Sequence, residues 1–175
     1  MTSRPRRRVL VVLLALAVLG HAHWFFGNLY EAVVLIPQFA ASPEQRLPIS
    51  TRGILVPGSP ALYYTPLIPL TVPAALAALA VGWRFGRAVR GRLLGGATLS
   101  VSAALLGAYI ITQLNFPLFY EPGTGVAQLE VLLRRWALLN YVRVCLEGAA
   151  LVVLLGALVC ATRSAQTTSA RDGVQ

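Results

Sequence analysis

Polar and aromatic side chains recur at helical spacing inside the first apolar segment of this sequence. If the segment is a helix, four of them share an arc of roughly 100° with Leu35: His21, Trp24, Asn28 and Glu31. A glutamate or a histidine held on such a face has the chemistry of a general base, which takes a proton from a bound molecule. Ionisable groups at membrane depth are costly, and they mark a functional site by default.

A matching stripe lies on the last apolar segment, where Trp136, Asn140, Arg143 and Glu147 follow one another at i, i+4, i+7 and i+11. At 1.5 Å per residue from the outer helix ends, Glu31 lies about 7 Å deep and Arg143 about 10 Å. We therefore expect one cluster of Glu31, Arg143, Asn28 and Asn140, with a deeper His21–Glu147 pair. Since a lone arginine in the membrane costs at least ~2.5 kcal/mol, these groups should face one another.

Two interpretations of this cluster stay open. In the first, Glu31 or His21 is a catalytic base, and Arg143 stabilises the negative charge that develops on a substrate oxygen. The substrate-binding candidates are then Trp24, Asn28, Asn115, Trp136, Asn140 and Glu147. In the second, the Glu31–Arg143 pair is structural and holds the first and last helices together.

Metal and cofactor chemistry are not expected. His21 and Glu31 lie about 15 Å apart on one helix and cannot share an ion. The sequence also has no glycine-rich phosphate loop and no serine elbow. We predict neither a metal site nor a bound cofactor.

The composition indicates what positions these residues. Hydrophobic residues make up 57% of the 175 residues and charged residues 12%, against roughly 25% charged in soluble domains, and the mean hydropathy is +0.68. Four apolar segments, at about 9–37, 61–83, 93–116 and 136–161, reach the length of about 20 residues that a ~30 Å bilayer core requires. The sequence predicts an all-α, four-transmembrane-helix bundle as one membrane domain over residues 1–162. A disordered tail over 163–175 follows.

Orientation is predicted from the arginines. Runs of them precede the first segment and follow the second, whereas Arg46 and Arg52 lie near Glu44, and Arg134 and Arg135 are balanced by Glu121 and Glu130. The positive-inside rule then places both termini in the cytoplasm of a multi-pass cell-membrane protein. Short basic runs beside apolar segments are topogenic signals, so membrane lipid is the expected partner and nucleic acid is not. Alternatively, residues 1–22 are a cleavable signal peptide, which leaves three spans.

Two further patterns concern packing. Pro66, Pro69 and Pro73 share one helical face and free backbone carbonyls, so we expect that face to line the bundle interior. The third segment carries small residues one helical turn apart, which let helices approach closely in lipid: Gly96, Ser100, Ala103 and Gly107.

Short motifs resemble a known family. The stretch "RRWALLNYVRVCLEGAALVVLL" is similar to the last helix of the anthrone oxygenase-like family of small four-helix membrane proteins, through Trp136, Asn140 and Arg143. The stretch "LNFPLF" resembles the family's Asn-x-Pro-Leu at the end of the third helix, through Asn115, Pro117 and Leu118. Pro37 is similar to the proline that closes the first helix.

The resemblance implies a four-helix membrane fold and, for a minority of the family, cofactor-independent oxygenation of anthrones to anthraquinones. It therefore implies a hydrophobic aromatic small molecule as substrate and an oxidoreductase activity. The competing interpretation is a non-enzymatic accessory or scaffolding protein with a structural Glu–Arg cluster. Proton-coupled transport is disfavoured because four short helices without repeats offer little for alternating access.

Overall fold

Four helices of the described chain are long and apolar enough to cross a membrane, as in a multi-pass membrane protein. The computed structural model describes residues 4–41, 60–65, 67–119 and 126–172, and these are helical with no strand. We number the membrane-length helices as the first to fourth spans: Arg4–Gln38, Leu62–Gly82, Arg87–Leu118 and Ala127–Arg163. The predicted all-α fold with four such helices is confirmed.

The helices of the first, third and fourth spans run past the apolar segments that predicted them. Their bounds are Arg4–Tyr30, Ile36–Ala41, Pro60–Tyr64, Ile68–Gly82, Arg87–Ile110, Phe116–Phe119 and Val126–Asp172, with π-helical turns at Glu31–Leu35 and Ile111–Asn115. Hydropathy marks only the lipid-length part of a helix, whereas an existing helix extends without a new nucleation step. Helix therefore covers residues 163–172, where a disordered tail was expected. Glu44, Arg46, Arg52 and Glu121 lie outside the described residues.

The spans pack as a closed ring in sequence order. The first span contacts the second and fourth, and the third contacts the same two. Because consecutive spans are antiparallel, the start of the first span, the turn after the second and the end of the fourth meet at one end. We call this the arginine-rich end, and its arginines in the described chain are Arg4, Arg6, Arg7, Arg8, Arg84, Arg87, Arg90, Arg92 and Arg163.

Two of these arginines donate hydrogen bonds to backbone carbonyls of neighbouring spans. Arg6 Nε donates to the carbonyl of Val81 at 3.1 Å, and Arg7 Nε donates to the carbonyl of Ala161 at 2.9 Å. The last carbonyls of a helix lack intrahelical donors. The first span therefore supplies a C-terminal hydrogen bond to the second span, whereas Ala161 lies inside the helix Val126–Asp172, where Arg7 joins the first and fourth spans.

The bundle interior is layered. An apolar layer fills the arginine-rich half: Leu10, Leu14, Ala17, Ala74, Ala75, Ala78, Leu93, Leu154, Ala157 and Ala161. A second apolar layer fills the opposite end: Ala32, Ile36, Ile110, Leu114, Leu118, Leu129 and Trp136. Between them lies a polar layer whose buried members are His21, Asn28, Glu31, Thr71, Ser100, Asn140, Arg143 and Glu147. The ionisable residues predicted from the sequence therefore lie inside the bundle, between its two apolar layers.

The second span turns its small residues inward, which contradicts the expectation for its prolines. Pro69 and Pro73 are exposed and Pro66 lies outside the described residues, whereas the buried face carries Thr71, Ala74, Ala75, Ala78 and Gly82. Small side chains allow close helix approach, and that gain decides which face is buried. The third span follows the prediction, because Gly96, Ser100, Ala103 and Gly107 are all buried.

Candidate functional site

Arg143 on the fourth span is the centre of the polar layer. Its Nη2 donates to the Oδ1 atoms of Asn28 and Asn140, the latter at 2.5 Å, and lies 3.3 Å from Glu31 Oε2. The structure thus brings together the four residues expected to be level in the membrane. Asn140 is held in place because its Nδ2 donates to the carbonyl of Trp136 at 3.0 Å, one turn earlier.

Glu147 is the second carboxyl group of this cluster. Asn28 Nδ2 lies 2.8 Å from both Glu147 carboxyl oxygens, and Arg143 Nε lies 3.8 Å from Glu147 Oε1. Asn28 therefore bridges Arg143 and Glu147, because it accepts from Arg143 and donates to Glu147. The two carboxyl groups, Glu31 and Glu147, share a single guanidinium within the cluster.

Tyr64 on the second span is a site residue that sequence reasoning missed. Its hydroxyl lies 2.8 Å from Glu31 Oε1 and 3.1 Å from Asn28 Oδ1. Gly27 makes this reach possible, because a Cβ there would lie 2.7 Å from a ring carbon of Tyr64. The available signal was a tyrosine near the outer end of the second span, at the depth of Glu31.

His21 does not join Glu147, so the deeper pair expected from the sequence is wrong. His21 Nε2 instead lies 2.7 Å from Ser100 Oγ on the third span, and Ser100 Oγ donates to the carbonyl of Gly96 at 2.7 Å. Because the Ser100 hydroxyl proton is directed to Gly96, Nε2 of His21 is the donor in the His21–Ser100 contact. In the described chain two buried side-chain nitrogens have no hydrogen-bond partner, His21 Nδ1 and Arg143 Nε.

We expect Ser100→Ala to lower the free energy of unfolding by about 1 kcal/mol, because buried His21 Nε2 loses its partner. Chemical unfolding in detergent measures the change. Ser102→Ala is the matched control, since Ser102 is half-buried on the same span, and it should stay within about 0.5 kcal/mol of wild type. Equal stability of the two variants would contradict the His21–Ser100 bond.

The other candidate residues lie around this cluster. Trp136 Nε1 donates to Asn115 Oδ1 at 2.8 Å, which joins the third and fourth spans on the side away from the arginine-rich end. Trp24 is buried and stacks on His21 with ring centroids 6.0 Å apart. His23 lies apart from the cluster, with Nε2 3.0 Å from the carbonyl of Tyr63.

Burial grades the members of the cluster. Asn28, Asn140 and Glu147 are fully enclosed, whereas Glu31 is 8% exposed and Tyr64 is half-buried. Glu31 is therefore the carboxyl group nearest the outside of the bundle. Chemically, the arrangement offers one outer carboxyl group, a neighbouring phenol and a guanidinium that stabilises negative charge.

Comparison with known proteins does not assign this chain. No family model, curated protein or solved structure matches it. Within residues 4–41, 60–65, 67–119 and 126–172, no group of three or more histidine, cysteine, aspartate or glutamate side chains is placed to hold a metal ion.

Proposed function

We propose that the chain is a multi-pass cell-membrane protein whose polar cluster binds a hydrophobic aromatic molecule and removes a proton from it. The arginine-rich end lies in the cytoplasm with both termini, because arginine accumulates on the cytoplasmic side of membrane proteins. The polar cluster then lies in the outer half of the bundle.

The observation that carries this proposal is the surplus of carboxyl groups over guanidinium in a buried cluster. Two carboxyl groups, Glu31 at 3.3 Å and Glu147 at 3.8 Å, lie beside the single guanidinium of Arg143, and Glu31 is the outer of the two. An isolated buried charge is costly unless it is paired, so a second carboxylate has no evident structural need. Its position beside Tyr64 and Arg143 is that of a base with oxyanion donors next to it.

The resemblance to the anthrone oxygenase-like family suggests the substrate class. Glu31 would take one proton from the CH₂ group of an anthrone. The resulting negative charge would be shared with the carbonyl oxygen of the anthrone, near Arg143 and Tyr64. The carbanion then reduces dioxygen in one-electron steps, and a C–O bond forms to give a hydroperoxide. Loss of the second C–H proton with O–O cleavage gives the quinone carbonyl and water. One anthrone and one dioxygen thus yield one anthraquinone and one water, without a cofactor.

A specific observation favours the second candidate, a non-enzymatic accessory or scaffolding protein. A hydrogen-bonded network around Arg143 includes Asn28, Glu31, Tyr64, Asn140 and Glu147. Apolar layers lie on both sides of this network. A closed network of this kind pins three spans in one register. The two candidates differ in what the loss of Glu31 does.

Glu31→Gln separates them, because glutamine keeps the shape, can accept from Arg143 through its oxygen and can donate to the Tyr64 oxygen through its NH₂ group, but is not a base. We expect anthrone-dependent oxygen uptake to fall by about 10²–10⁴-fold. The melting temperature in detergent should stay close to that of wild type. Oxygen uptake with a panel of anthrones, measured with a chelator present, reports the first quantity, and thermal unfolding reports the second.

Glu130→Gln is the matched control, since Glu130 is exposed on the fourth span, and it should leave both quantities unchanged. Wild-type rates in Glu31→Gln, or no conversion of any anthrone by wild type, would contradict the oxygenase proposal. A large loss of thermal stability in Glu31→Gln would favour the structural role.

A further inference from the structure

We infer that the arginine-rich end carries a binding site for one anionic phospholipid, in a groove between the first and second spans. A cavity of about 420 Å³ lies there, lined by Arg6, Leu76, Leu79, Ala80, Trp83 and Arg84. Its wall is apolar along the second span and carries two guanidinium groups at the end of the bundle. That pairing fits a phosphate head group with an acyl chain below it.

Arg6 is held in position for this role. Its Nε donates to the carbonyl of Val81 at 3.1 Å, which fixes the guanidinium at the end of the second span. A guanidinium has five N–H donors, so the Nη groups remain for a phosphate, which arginine binds in a bidentate manner. Arg84 is exposed and lines the same groove.

Trp83 supplies the apolar wall at the level of the head groups. Its side chain is 52% exposed, and the guanidinium carbon of Arg90 lies 5.4 Å from its ring centroid. Tryptophan is enriched at this depth of a bilayer because its ring is apolar and its N–H is polar. Leu76 is 45% exposed one to two turns deeper, along the path of an acyl chain.

The charge balance selects an anionic lipid over a zwitterionic one. Residues 4–10, 78–95 and 156–163 form this end of the described bundle, and they contain no aspartate or glutamate. Arg7 donates to the carbonyl of Ala161, and Arg92 donates to Cys160 Sγ at 3.0 Å, so neither has an acidic partner there. Positive charge near a membrane surface is worth about 1 kcal/mol per arginine with anionic lipid. The site would thus recruit lipid from the leaflet that our proposed orientation makes cytoplasmic.

Tryptophan quenching by brominated lipids tests the site. The chain has three tryptophans, of which Trp24 and Trp136 are buried, so acyl-chain bromine reports chiefly on Trp83. The protein is reconstituted in bilayers containing equal fractions of brominated phosphatidylglycerol or brominated phosphatidylcholine. We expect roughly thirtyfold tighter apparent association of the anionic lipid, which corresponds to about 1 kcal/mol for each of two arginines. Trp83→Phe should abolish most of the quenching.

Arg6→Gln with Arg84→Gln should remove the preference for the anionic lipid while leaving the quenching by brominated phosphatidylcholine unchanged. Arg87→Gln with Arg163→Gln is the matched control, because both arginines are exposed at the same end and the net charge falls equally. Arg84→Gln alone covers the case in which loss of the Arg6–Val81 bond prevents folding, and it should reduce the preference about fivefold.

Three results would overturn the proposal. The first is no difference between the two lipids in wild type. The second is an equal loss of preference in the control pair, which would mean diffuse attraction to the surface. The third is displacement of the anionic lipid by soluble glycerol phosphate at low concentration, which would assign the groove to a free phosphate ester.

Discussion

Replacing Arg143 with methionine is expected to lower the free energy of unfolding by about 3–5 kcal/mol. Methionine replaces the aliphatic part of the arginine side chain but leaves Glu147 and Glu31 buried without their guanidinium. Asn28 and Asn140 lose their shared donor at the same time. Thermal or denaturant unfolding in detergent measures the effect, which we expect to be the largest of any single change considered.

Arg134→Met is the control for this substitution, since Arg134 is exposed on the same span, and it should change stability by no more than about 0.5 kcal/mol. Adding Glu31→Gln and Glu147→Gln to Arg143→Met should restore part of the loss, because no unpaired carboxyl group then remains buried. An Arg143→Met protein as stable as Arg134→Met would show that the buried network does not hold the spans together.

Gly20→Ala is expected to destabilise the protein by about 2–3 kcal/mol, through overpacking between the first and second spans. An added Cβ collides with Thr71 Oγ1 and lies 2.9 Å from Thr71 Cβ. Thr71 has no long flexible end to move away, and its hydroxyl donates to the carbonyl of Leu67 at 3.0 Å. The spans must therefore separate locally, which loosens the layer beside His21.

Gly95→Ala is the matched control on the third span. A Cβ there meets only Val153 Cγ1, at an ordinary 3.8 Å, so alanine should raise stability by up to ~1 kcal/mol through its higher helix propensity. Parallel unfolding curves of the two variants measure the contrast. If both alanines have the same effect, then the close approach at Gly20 does not limit packing.

Much of the arrangement follows from hydropathy and helical periodicity. The four spans are visible as apolar segments, and simple depth arithmetic places Glu31 and Asn28 level with Asn140 and Arg143, which the structure brings into contact. Such arithmetic works because a helix has a fixed rise and polar groups in an apolar interior seek one another.

The errors arise where a third helix competes. His21 and Glu147 have compatible depths, but the third span offers Ser100 to His21, and the first span's own Asn28 takes Glu147. Tyr64 went unrecognised because its role depends on the ring reaching past Gly27, which is a property of two helices together. The depth of a residue limits its possible partners to one level of the bundle. Which of these partners it contacts depends on how each helix is rotated and on how closely the helices approach.

The π-helical turn Glu31–Leu35 explains one further departure and has a consequence for comparing sequences. Leu35 should share the inward arc with Glu31 on an α-helix, yet Leu35 is only half-buried and Ile36 is buried instead. A π turn accommodates one residue more than the α-helical turn it replaces, so the inward face advances by one position beyond Glu31. A relative that is one residue shorter there would present the same faces on a plain α-helix. When relatives of this chain are aligned, a single-residue gap therefore belongs between Glu31 and Leu35, and conservation beyond that point should be read in the shifted frame.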